Sequence, residues 1–143
     1  MNKTFVVESS SQSGINTDWN ASAVQKNYPQ LSLCIPPEFE GPGLGYSPED
    51  LYGLALLNCF IATFKFVAEK SRLEFDKING TGNLIVDKGQ KPALWMKEFR
   101  ISIELTGTKQ PERALALLEK TTKNCMIINS VQTEVTFSFQ VKD

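Results

Sequence analysis

The stretch that most limits the possible folds is SPEDLYGLALLNCFIATFKFVAEK, residues 47–70. Ser47 is a good N-cap, Pro48 suits the first helical position, and Asp50 stands three residues past the cap as a shortened capping box. Periodicity fails near Ser71 and Arg72. The stretch therefore predicts one helix of about 23 residues, on the order of 34 Å long. From Leu51 to Ala68, 14 of 18 residues are apolar. A helix apolar all round must be covered on all sides, by a core, an interface or lipid. This run sits at the short edge of spanning length, and it carries Gly53, Asn58, Thr63 and Lys65 with no second such segment after it. The expected cover is protein, with no membrane partner.

Strand patterns surround this helix. Residues 3–8 and 18–34 read as short strands separated by the polar loop SSSQSGIN, and IPPEFEGPGLGY (35–46) is too rich in breakers for regular structure. Residues 74–87 and 95–106 predict an antiparallel pair. In the second arm Phe99, Ile101, Ile103 and Leu105 alternate with Arg100, Ser102, Glu104 and Thr106, which predicts a strand with one wet face. Residues 111–123 begin on proline and end on lysine, as a helix does. The chain closes on alternating apolar positions from Val131 to Val141. Clustered strands with one polar face predict an α+β class with antiparallel sheets around the long helix, in a single domain over 1–143.

The bulk chemistry excludes several functions. Net charge is −1, with no basic run to neutralise phosphates, so no nucleic-acid partner is expected. Histidine is absent, which removes serine–histidine and cysteine–histidine hydrolysis within one chain. Three cysteines without a CxxC pair make a poor metal site, and the glycines of GPGLGY lack the spacing of a phosphate or dinucleotide loop. No cofactor is expected. The apolar run of MNKTFVVESSS stops after Val7, too short for a secretory signal. The expectation is a cytoplasmic protein with reduced thiols.

Those thiols differ in setting. Cys59 lies about eleven residues into the helix, beyond reach of its N-terminal dipole, with Ala55, Leu56, Ala62 and Thr63 as helical neighbours. Composition alone reads it as a small packing residue. Cys125 follows Lys123 and Asn124 before an apolar turn, and reads either as packing or as a low-pKa or resolving thiol. Cys34 ends a strand and reads as structural. Glu49 and Asp50 are most simply helix-start charges.

The run IPPEFEGPGLGYSPEDLYGLALLNCFIATFKFVAEK resembles the OsmC/Ohr family, osmotically induced and organic-hydroperoxide-resistance proteins. The shared pattern is a glycine-rich loop, here GPGLGY, then SPEDL, then a long helix carrying NCF. A second block, PERALALLEKTTKNCMIINSVQTEVTF, matches the family's second helix, second cysteine and final strand. The resemblance implies an intertwined homodimer in which two long helices are buried between shared sheets. It implies that Cys59 attacks a small organic hydroperoxide, that Cys125 resolves the resulting sulfenic acid as a disulfide, and that a dithiol reductant restores both. It also implies that Glu49 is the site-polarising carboxylate. Glu49 and Cys59 are ten residues apart on one helix, about 15 Å of rise. If both serve one site, Glu49 comes from the partner chain. Leu56 and Phe60 are expected to form an apolar wall that favours alkyl hydroperoxides.

One family feature is absent. Peroxidase members carry an arginine in the N-terminal strand–loop region, whereas SSSQSGINTDW has none and no cation stands between Lys3 and Lys26. A Cys59 thiolate would then rest on amides, on hydroxyls such as Ser13, or on a distant cation. Two readings stay open: a peroxidase, and a non-catalytic OsmC-like protein that binds an apolar ligand or senses thiol redox state.

Overall fold

Ser47 and Asp50 close a reciprocal capping box at the head of the long helix. The Asp50 N–H donates to Ser47 Oγ and the Ser47 N–H donates to Asp50 Oδ2, each at 2.9 Å. The helix, α1, then runs unbroken over Pro48–Lys70. This computed structural model describes residues 2–143, which divide into two compact units, residues 2–51 and 52–143.

The N-terminal unit holds a three-stranded antiparallel sheet in the order β1 (Val7–Ser10), β2 (Trp19–Ala23) and β3 (Leu31–Leu33). The stretch 18–34, read as short-strand sequence without an internal break, holds two strands, β2 and β3. Gln25 takes a positive φ of 64° and Pro29 has no N–H to give a ladder, so the chain turns between β2 and β3. The breaker-rich loop that follows folds tightly on itself. A Cβ at Gly41 would overlap the Ile35 carbonyl, so only glycine fits there.

The C-terminal unit holds most of α1 and the sheet β4 (Lys77–Asp87), β5 (Trp95–Thr106) and β6 (Glu134–Lys142), in that order. The β4–β5 hairpin is antiparallel, as its alternation predicts. The β5–β6 pair is parallel, from Glu98 opposite Glu134 to Thr106 opposite Lys142, so the sheet is mixed rather than wholly antiparallel. A parallel pair needs a crossover, and helix α2 (Pro111–Thr121) supplies it. Alternation along β6 reports which face is wet but carries no information on direction.

Leu56, Phe60, Phe64 and Ala68, spaced by four along α1, pack with Phe99, Ile101, Ile103 and Leu105 of β5 and with Ala114 and Leu118 of α2. Phe60 meets the rings of Phe137 and Phe139, with centroids 5.3 and 5.6 Å away. Gly82 makes room for Phe99, since a Cβ there would overlap its ring. The helix is covered on one face only. Leu54 is 41% exposed and Phe66 64%, and Ala55, Asn58 and Ala62 are exposed with them.

Candidate functional site: a paired thiol

Cys59 sits on the flank of the buried α1 stripe and is partly accessible, whereas Cys125 is wholly buried. The two come together because α2 ends at Thr121 and the chain turns back beneath α1. Ala114, Leu118, Thr121 and Cys125 form one buried line at spacings of four, three and four. The Cys125 thiol donates to the Thr121 carbonyl at 3.3 Å. The Ile127 N–H, on the turn just after Cys125, donates to Cys59 Sγ at 3.4 Å. Thr63 Oγ1 donates to the Cys59 carbonyl at 2.7 Å.

Burial is the main force on the Cys125 thiol and pushes its pKa up from 9.0 to about 11. The Thr63 hydroxyl pulls it down, while the negative charge and the hydrogen bonding of Cys59 push it further up. Cys125 is therefore a neutral thiol at physiological pH. This corrects the low-pKa alternative: Lys123 precedes it in sequence, but loss of water dominates its environment.

Glu49 stands in the first turn of α1 and is not brought to the thiol pair by its own helix. Its Oε1 is shut off from solvent and has no hydrogen-bond partner among the described residues. Leu56 and Phe60, expected as an accessible apolar wall, are fully buried. They belong to the core stripe, one helical step away from the Cys59 flank. The exposed apolar groups beside the thiols are Met126, 74% exposed, and Ile127. Cys34 lies just past β3, where its sulfur accepts from the Gly45 N–H at 3.1 Å, a packing role.

The arginines are engaged elsewhere. Arg100 pairs with Glu98 at 3.0 Å, and Arg113 donates to Gln110 Oε1 and to the Ser71 carbonyl. Arg72 lines a cleft at the C-terminal end of α1 with Glu69, Glu74, Asp76 and Lys109. Ser13 lies exposed in the N-terminal unit, where its carbonyl accepts from the Thr17 hydroxyl. The Ile127 N–H escapes sequence reasoning because no side-chain letter marks a backbone donor.

A one-faced long helix over a sheet, with a cysteine on its flank and a second cysteine after the crossover helix, is an OsmC-type architecture, and the comparisons agree. The family model for OsmC-like protein matches residues 41–140, and the chain belongs to that family. An uncharacterised Bacillus subtilis protein, YmaD, is 32% identical over 108 residues, covering 73% of this chain and 72% of YmaD. Among solved structures, an OsmC-like protein of unknown function from Vibrio cholerae superposes with a TM-score of 0.84 at 17% identity, covering 96% of this chain and 99% of the other. An organic hydroperoxide resistance protein from Legionella pneumophila superposes with a TM-score of 0.71 at 17% identity, covering 99% and 98%. At these identities the structural likeness establishes the fold.

Proposed function

We propose that this protein is a cysteine-based peroxidase that reduces small organic hydroperoxides, with Cys59 as nucleophile and Cys125 as resolving thiol, in a role against oxidative stress. The observation that carries this reading is the juxtaposition of one accessible and one buried thiol across a fold that separates them by 66 positions. The Cys59 thiolate attacks the outer oxygen of ROOH. The O–O bond breaks, the sulfur becomes a sulfenic acid, and the alkoxide leaves as ROH after taking a proton. Cys125 then attacks the Cys59 sulfur, a disulfide forms and water leaves. A dithiol reductant returns both thiols and is itself oxidised. Met126 and Ile127 supply apolar surface for the alkyl group.

The working unit in this reading is a homodimer. Its support is the exposed apolar face of α1, Leu54 and Phe66 above all, and the Glu49 oxygen that is shut off from solvent without a hydrogen-bond partner among the described residues. Lipid is a poor alternative cover, because β4 and β6 are the edges of an open sheet and an open edge has no partner in hydrocarbon.

One stoichiometric equivalent of cumene hydroperoxide should yield a Cys59–Cys125 disulfide by mass spectrometry, and Cys59→Ser should yield none. Two thiols that survive ten equivalents would sink the reading. The raised pKa of Cys125 favours a second reading, a thiol redox sensor that forms the disulfide slowly and holds it. A disulfide without multiple turnovers in excess dithiol would select that reading.

A further inference from the structure

Among the described residues no cationic side chain is hydrogen-bonded to the Cys59 sulfur, yet a nucleophilic cysteine needs something to favour its charged form. The strands packed against α1 present Phe99, Ile101, Ile103, Val135, Phe137 and Phe139 to it, and Glu98, Arg100 and Glu134 lie on their other faces. The titratable group set against Cys59 is Cys125, held as a neutral thiol. What does reach the sulfur is a peptide N–H.

We infer that the backbone N–H of Ile127 is the positioning group that holds Cys59 as a thiolate, replacing a cation with one aimed hydrogen bond. The turn that carries it is built to aim it. The Asn129 N–H donates to the Cys125 carbonyl at 2.9 Å and the Ser130 N–H to the Ile127 carbonyl at 3.0 Å. Ser130 Oγ donates to the Met126 carbonyl at 2.8 Å, and Asn129 Nδ2 to the Lys123 carbonyl at 3.1 Å. These bonds fix residues 123–130 while leaving the Ile127 N–H for the sulfur at 3.4 Å. A peptide donor keeps its direction and carries no net charge, and its bond strengthens when the acceptor ionises. The donor and the resolving thiol ride on one turn.

This deepens the reading of Cys59 as nucleophile, but its test does not need turnover. Ile127 has φ −66° and ψ −43°, values proline adopts, so Ile127→Pro deletes the N–H at a compatible backbone. The rate of Cys59 alkylation by iodoacetamide is followed against pH, with peptide-level mass spectrometry to separate it from Cys34 and Cys125. Ile127→Pro should raise the midpoint by about one unit and slow labelling at pH 7 by up to about tenfold. Ile127→Ala, which keeps the N–H, should shift the midpoint by less than about a third of that. Equal shifts in both variants, or none in a folded proline variant, would overturn the inference. If circular dichroism shows the proline variant unfolded, the decision passes to a semisynthetic protein with the α-hydroxy acid analogue of isoleucine at 127. An unchanged midpoint there overturns the inference as well. A parent protein that never consumes hydroperoxide would remove the proposed function and leave this result standing.

Discussion

The two units of this chain bury very different amounts of apolar surface. The C-terminal unit gathers thirteen buried apolar residues into one cluster, from Leu56 on α1 to Ile128 beyond α2. Among its described residues, the N-terminal unit up to Leu51 buries Leu33 and Cys34 as its apolar residues, and leaves Phe5, Val7, Tyr28, Leu44 and Tyr46 exposed. Both were written with strand-like sequence, yet one closes a core and the other buries little of its own apolar surface. Strand pattern reports that a surface is meant to be covered, and says nothing about whether its own chain supplies the cover.

The sharpest way to break this contrast is matched truncation. Phe60→Ala should cost about 3–5 kcal/mol in urea unfolding, because the ring is fully enclosed between α1 and β6. Phe5→Ala, at a residue 77% exposed, should cost no more than about 0.5 kcal/mol when measured on dilute protein. Similar costs would show that the N-terminal unit has a hidden core.

Alkaline titration probes the buried side next. The folded state holds Cys125 protonated to about 11, above its ordinary 9.0. The unfolded chain releases that proton first, so the stabilising contribution is whole below pH 9 and is lost as pH rises through 11. The melting temperature of the protein should therefore fall more steeply between pH 9 and 11 than that of Cys125→Ala. Parallel curves would remove the burial argument.

The N-terminal unit owns one well-made local device, the Ser47–Asp50 box. Ser47→Ala should cost about 1 kcal/mol in urea unfolding. The smallest effect on folding is expected from Phe66→Glu, within about 0.5 kcal/mol, because that ring faces outward. If the proposed dimer forms through this face, its effect should appear instead in light scattering, as a shift from dimer to monomer. An unchanged mass would mean that the bare face of α1 is not the interface.

Local chemistry was the legible part. The α1 cap and its proline, the β4–β5 alternation and the α2 boundaries depend on neighbours within a few residues, and they follow from the sequence almost unaltered. The split of 18–34 hid behind the positive φ at Gln25, which no glycine announced. The parallel direction of β6 depends on how α2 returns the chain, and Leu56 and Phe60 could be assigned to a face only once the β5 partners were known. NCF placed a cysteine on α1, but the sulfur's hydrogen-bond partner is a main-chain group 68 residues downstream.

The parallel β5–β6 pairing has a consequence during folding. A hairpin such as β4–β5 can close as soon as its second arm is made, but β6 (Glu134–Lys142) reaches β5 only after α2 has carried the chain back across the sheet. Until β6 pairs, the segment carrying Cys125 and Ile127 is tethered at one side only. Pairing of β6 with β5 thus ties a late, long-range step of folding to the setting of the Ile127 N–H against the Cys59 sulfur.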